Sequence, residues 1–349
     1  MKKSYTIRMK RSLFTMATAL VVALCSVSEG IAQDIHYTNF GYSPLNINPA
    51  LTGVFTGDGR FTGNYRSQWN NVPVGYNTFS GSYDTKFGNA LRHSPFRLGT
   101  FFSYDQAGDS KLNNLALYLT GAYVLPFMKT NYLSLGASVG GHQRRFLTRD
   151  LRYGEQYRSK TFNPNNPITD PTQTVFDQSI NYADVSVGAN VRHEKGRRQL
   201  DFGVGVFHLN RPVKSHNNIV AVKLEPRVSA YVAGSVPMGR HFDFMGDLMA
   251  QYQGPHEEWV VGAGVRMYLV QKATKLFALE GGATLRNGDA WVPRIGVVYN
   301  QWRVGLNYDI NFSNFRPASI YNGGPELNVI YIFSKVPPAH FCPLCPVYL

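Results

Sequence analysis

Cysteine is almost missing from this 349-residue chain, which has three. Cys25 falls near the start, Cys342 and Cys345 near the end, so no disulfide framework can hold the chain together. The closing Cys-Pro-Leu-Cys offers at most half of a tetrahedral zinc site; a small disulfide loop or free thiols suit an exported chain better. Charge is sparse too, at 16% of residues, and beyond residue 32 no apolar run reaches the roughly 18 residues that a membrane-crossing helix needs. Nor does a helical hydrophobic period run through that region. The nine histidines are dispersed without a His-x-x-x-His pair, which removes the usual helical metal motif. Gly136-Ala137-Ser138-Val139-Gly140 has the spacing of a nucleophile elbow, but that motif needs strand, strained turn and helix, and here it lies inside an extended stretch. Asp105 and Asp109, in a predicted loop, read as solvated acids. Nucleic-acid recognition has no motif to rest on. No catalytic residue, metal site or cofactor site is therefore expected.

Glycine and aromatics are plentiful, with 33 glycines and 13% Phe, Trp and Tyr. The chain is too apolar for disorder, and only a barrel hides a lipid preference inside a polar average, because alternate residues alone face lipid. The N-terminus reads as an export signal: Lys2, Lys3, Arg8, Lys10 and Arg11, then an apolar segment from Leu13 to Val27, then Gly30-Ile31-Ala32 as a cleavage site. A lipoprotein signal ending at Cys25 is the rival, but Leu24 stands where a small residue is needed. Residues 1–32 are thus read as a signal peptide. Removing its five cations and one acid leaves 30 Lys and Arg against 21 Asp and Glu. An exported basic chain with scattered charges fits anionic lipid headgroups or an acidic protein partner better than nucleic acid.

Period-two alternation carries the fold. In Arg60 to Trp69, Phe61, Gly63, Tyr65, Ser67 and Trp69 oppose Arg60, Thr62, Asn64, Arg66 and Gln68, a split that only an extended strand places on two faces. Thirteen further stretches follow: Tyr76 to Phe87, Pro95 to Tyr104, Asn114 to Pro126, Tyr132 to Phe146, Ile180 to His193, Gln199 to Leu209, Lys223 to Val236, Phe242 to Gln253, Glu257 to Leu269, Lys275 to Leu285, Trp291 to Tyr299, Gln301 to Phe312 and Pro325 to Phe333. The connections alternate as well. Leu147 to Ser179, Asn210 to Val222 and Ser313 to Gly324 all fall on one side, while short turns such as Glu194 to Arg198 and the bare Asn300 fall on the other. A soluble sandwich would also alternate, but it requires neither this sorting nor the aromatic strand ends. The expectation is an all-β transmembrane antiparallel β-barrel of about 14 strands, residues 59–333, with short periplasmic turns and longer extracellular loops. Residues 33–58 read as a periplasmic lead-in or plug that braces the periplasmic mouth, and 334–349 as a periplasmic tail.

At the lead-in and first strand the chain resembles a known family. Asn48-Pro49-Ala50-Leu51-Thr52-Gly53, Asn64-Tyr65-Arg66-Ser67-Gln68-Trp69 and, at the last strand, Gly323-Gly324-Pro325-Glu326 resemble the PorP/SprF family of type IX secretion membrane proteins from Bacteroidetes. Pro325 is unusual within the closing Gly-Gly-x-Glu motif and should sit at a strand start or edge. The resemblance implies an outer-membrane barrel that works with periplasmic ring and motor components and with secreted adhesins carrying C-terminal sorting domains. It marks Asn48, Pro49, Ala50, Gly53, Asn64, Arg66, Gln68, Trp69, Gly323, Gly324 and Glu326 as plug or lumen positions. The alternative is a fourteen-strand porin or solute-uptake channel.

Overall fold

The computed structural model describes residues 34–69, 75–86, 94–108, 112–145, 154–158, 161–163, 165–167, 179–214, 222–272, 274–313 and 321–334. Residues 1–32, read from the sequence as a signal peptide, Cys342, Cys345 and all of 334–349 but its first residue lie outside them. Fourteen strands close into a barrel: β1 Gly59–Gln68, β2 Tyr76–Lys86, β3 Phe96–Ala107, β4 Leu112–Met128, β5 Asn131–Arg145, β8 Ser179–Lys195, β9 Arg198–Phe207, β10 Arg227–Pro237, β11 Phe242–Gln253, β12 His256–Lys272, β13 Lys275–Arg286, β14 Ala290–Tyr299, β15 Trp302–Asn311 and β16 Asn322–Phe333. The intervening β6 Tyr157–Arg158 and β7 Thr161–Phe162 form a small separate ladder in the β5–β8 connection. Every barrel neighbour is antiparallel, and β1 pairs with β16 from Gly59↔Phe333 to Arg66↔Glu326 to complete the ring. Closure leaves no edge, which is what a sheet in hydrocarbon needs, since no water is there to satisfy free backbone groups.

Burial is inverted relative to a soluble domain. Along β4, Leu115, Leu117 and Leu119 are exposed, whereas Ala116, Tyr118 and Thr120 are buried. Buried polar groups line the interior of the other strands, among them Asn64, Ser80, Asp84, Asn190, Asp309 and Glu326. Alternation thus sorts apolar side chains outward to lipid and polar ones inward.

Several strands outrun the alternation. β12 continues to Lys272 through a bulge between Tyr268 and Val270, which puts an extra residue into the strand and interrupts the period. β10 begins at Arg227 instead of Lys223, which makes only an isolated bridge with Val213. β16 starts at Asn322, so Pro325 lies inside it, opposite Tyr308 and beside a bulge at Asp309/Ile310. There the ladder is already disturbed and the missing N–H costs little. The bare Asn300 turn is a two-residue one, Asn300-Gln301, with Asn300 in the left-handed region at φ 51°. As expected from loop parity, the β5–β8, β9–β10 and β15–β16 connections share one end, called here the loop side.

Replacing Leu119, at 66% exposure in the middle of β4, by Arg should cost about 2–4 kcal/mol of folding free energy in lipid. Met238→Arg, in the β10–β11 turn, should cost about nothing by the same depth rule. Urea unfolding of the barrel in vesicles measures both.

Candidate functional site

The lead-in supplies what the lumen lacks. Pro44 and Pro49 fix the first positions of two short turns, one α-helical at Pro44–Ile47 and one 3-10 at Pro49–Leu51, preceded by a 3-10 turn at Phe40–Tyr42. Asn48 is extended and caps the Pro49 turn by accepting the Ala50 N–H at 2.8 Å. Such compact turns present backbone groups and side chains in every direction, which suits a segment enclosed on all sides.

The path of the segment follows from its partners. Asp34 meets Gln253, Arg227 and His208, which all lie at the loop-side ends of their strands. The N–H groups of Thr38 and Asn39 donate to the Glu326 carboxylate at 3.0 and 3.2 Å. Deeper in, Tyr42 donates to Glu280, and Asn48 donates to the carbonyl of Ala189 at 2.9 Å and to the Tyr231 hydroxyl. Near the turn side the Ala50 carbonyl accepts from Ser134, and the Gly53 N–H reaches Asp84 at 2.7 Å. The lead-in therefore runs the length of the lumen and leaves at the turn side to become β1. It does more than brace one mouth, because wall groups at every level offer it bonds.

Most marked positions converge on this segment. Arg66, 2% exposed, donates to the His36 carbonyl at 2.8 Å and to Asp309 at 2.6 Å, and faces Glu326 at 3.9 Å. Glu326 also accepts from Asn307 and Asn328, while Asn64 reaches the Tyr42 carbonyl at 3.4 Å. Gly53 has φ +68°, which a side chain would strain, and a Cβ there would strike Arg97. Ala50 packs so closely on β5 that a Cβ at Gly136 would lie 2.5 Å from its Cα, so this glycine of the elbow-like pentapeptide serves close approach of two backbones. Gly323 and Gly324 pack against Asp309 and the end of β1, and the Gly323 carbonyl accepts the Trp69 N–H at 2.9 Å. Trp69 meets Tyr76 edge-on at the loop side. Gln68 is half-buried and, unlike Asn64 and Arg66 on the same face of β1, makes no hydrogen bond to the lead-in among the described residues.

Sequence reasoning missed the partners. Asp309 is shared between Arg66 and Arg286, Asp84 holds Arg60 in a two-point pair, and Asp201 holds Arg192 likewise. Arg60–Asp84 and Arg192–Asp201 are register partners on neighbouring strands, so reading them needs the exact register of a hairpin, whereas Arg66 and Asp309 lie 243 residues apart and leave no local signal.

At the loop-side end, His208 bridges Asp34 and Asp184. Burial opposes charge on His208, yet Asp34 and Asp184 outweigh it and raise its pKa to about 9. Burial likewise pushes against charge on Asp34, but His208 and Arg227 hold its carboxyl well below the usual range. Toward the turn side, a cavity of about 520 Å³ lies between the lead-in and the wall, with Arg192, Arg266, Arg294, Asp247 and Glu280 among its lining. Among the described residues no group of three or more His, Cys, Asp or Glu is placed to hold a metal ion. Several buried acids of the lumen are paired with cations: Asp309 with Arg66 and Arg286, Asp84 with Arg60, Asp201 with Arg192, and Glu280 with Arg266 and Arg303.

Comparison with solved structures gives low-identity barrels. The toluene transporter TbuX of Ralstonia pickettii is 9% identical, with 84% of this chain and 94% of that one covered and a TM-score of 0.48. A Pseudomonas aeruginosa FadL homologue is 8% identical over 82% and 93%, with a TM-score of 0.46. The translocator domain of autotransporter NalP from Neisseria meningitidis is 12% identical over 93% and 98%, with a TM-score of 0.38. No curated protein matches the sequence. The family model for type IX secretion system membrane protein PorP/SprF matches residues 29–331.

Arg66→Ala should destabilise the barrel by about 3–5 kcal/mol, because it leaves buried carboxylates short of a partner; chemical unfolding in vesicles reads this. The Asp34–His208 link has a defined pH window. The stability it draws from His208 is fully present below the ordinary imidazole pKa and is lost as pH rises through about 9. Protease cleavage near residue 34 should therefore speed up between about pH 7 and about pH 10, and His208→Gln should abolish that dependence.

Proposed function

We propose, from the premise that this chain belongs to the PorP/SprF family of type IX secretion system membrane proteins, that it is a non-enzymatic docking barrel assisting export or surface attachment of particular secreted adhesins. It is an outer-membrane β-barrel, and its closed ring carries apolar side chains outward. The observation that supports docking over solute passage is the filled lumen. Residues 34–53 occupy wall groups from Gln253 and Glu326 at the loop side to Asp84 at the turn side, so much of the polar surface a porin would offer a solute is bonded to the chain itself, and the remaining space is a cavity toward the turn side.

What remains for partners is the two ends. Both ends of the barrel's chain, Gly59 and Phe333, lie at the turn side, which we place in the periplasm. There the cavity and the basic turn from Glu194 to Arg198 face periplasmic ring or motor components. The longer connections of the opposite end face adhesins with C-terminal sorting domains. The lead-in makes the barrel rigid enough to hold a large cargo, since it ties many strands to one central segment.

Two measurements test this reading. Deleting the gene should remove one class of adhesin from the cell surface while the cell still makes it, and purified protein in a planar bilayer should conduct no more than lipid alone. Conduction or solute uptake together with intact adhesin display would overturn it in favour of a channel.

A further inference from the structure

Two turn-side hairpins end in cations that face one another. Lys195 of β8 is the register partner of Arg198 of β9, and Lys272 of β12 is the register partner of Lys275 of β13. Like charges directly opposed on one face of an antiparallel pair destabilise it, and both of these hairpins place them so. All four residues are exposed. None is joined to a carboxylate among the described residues.

Alternation settles which way they face. Lys195 continues the outward row of Val187 and Val191, Arg198 opens the row of Phe202 and Val204, and Lys275 opens the row of Leu279 and Leu285. The lumen rows of the same strands, with Arg192, Asp201 and Glu280, are buried. The pairs therefore stand at the rim of the lipid-facing belt, outside the lumen. They flank the β10–β11 hairpin, whose turn adds the exposed Met238 and Arg240. A further cation pair, Lys86 opposite Arg97, differs on this point: Lys86 lies over the ring of Phe55 of the lead-in, so that pair belongs to the interior.

We propose that the Lys195–Arg198 and Lys272–Lys275 pairs clamp the phosphates of anionic lipid headgroups in the turn-side leaflet. A phosphate between two cations converts their repulsion into two charge-assisted contacts. Lipid fits the position because long cationic side chains at the edge of an apolar belt lay their stems along it and put their heads at headgroup level. The acyl chains of the same lipid would then cover Phe202, Val204 and Leu279, which a free anion cannot do. The inference is independent of the secretion role and holds for the barrel as a membrane protein.

The test uses the full-length barrel folded into phosphatidylcholine vesicles containing a minority of phosphatidylglycerol. Retained lipids are counted by native mass spectrometry, and folding is checked by heat-modifiable gel migration. Wild type should retain phosphatidylglycerol several-fold above its bulk ratio, and Lys195→Gln/Arg198→Gln/Lys272→Gln/Lys275→Gln should fall to the bulk ratio. Should the fourfold variant not fold, the two hairpin pairs are replaced separately, and each should lose about half of the enrichment. Retention at the bulk ratio by wild type, or undiminished enrichment in the folded variants, would overturn the proposal. Displacement of the lipid by inorganic phosphate would overturn it in favour of a free-anion site, and displacement by polyglutamate in favour of a protein partner.

Discussion

Closure of the ring at β1 and β16 is the interaction on which the rest of the molecule depends. The seam runs from Gly59↔Phe333 to Arg66↔Glu326, and its last pair is also the place where the lead-in is held. Glu326 accepts the N–H groups of Thr38 and Asn39, and Arg66 donates to the His36 carbonyl. The groups that shut the sheet are thus the groups that fill it. Without the lead-in, Glu326 would keep only its asparagine donors and a distant guanidinium, a poor exchange for hydration.

The same logic extends down the lumen. Buried ion pairs contribute little net stability, because desolvation offsets most of their attraction. Their geometric demand is more informative. Arg66 and Arg286 share Asp309, Arg266 and Arg303 share Glu280, and Arg60 couples Asp84 to the Leu51 carbonyl. Each arrangement ties a wall strand to another strand or to the lead-in at one register. An apolar contribution adds to this where Phe40, Ile47, Leu51 and Val54 pack on Tyr231, Met249 and Val260. The interior is therefore a small core built around one central segment, and the surrounding sheet supplies the shell.

Legibility in the sequence followed the range of the interactions. Strand alternation is local, so the strands, their even count and the sorting of connections could be read from residues such as Phe61, Tyr65, Asn64 and Arg66. Bulges break the period, which is why the last residues of β12 and the first of β16 escaped. The lead-in has no period at all; its burial could be inferred from Tyr37, Phe40 and Tyr42, but its course could not. Arg66 and Asp309 lie 243 residues apart, and nothing near either residue announces the other. The family motif compensated in part, since Asn48, Arg66 and Glu326 stand at the centre of the bonds just described, whereas Gln68 does not.

The continuity of lead-in and β1 also constrains the order of assembly. If the seam zipped first, Asp309 and Glu326 would enter a dry interior before Thr38, Asn39 and His36 arrived to bond with them or with Arg66. That route carries a desolvation barrier which the opposite order avoids. An order of assembly that avoids this barrier curls the open sheet around its N-terminal segment while β1 and β16 are still apart. On that order, whatever machinery inserts this chain must tolerate a partly formed barrel with its interior already in place, and the final strand pairing works as a latch set only after the contents are correct.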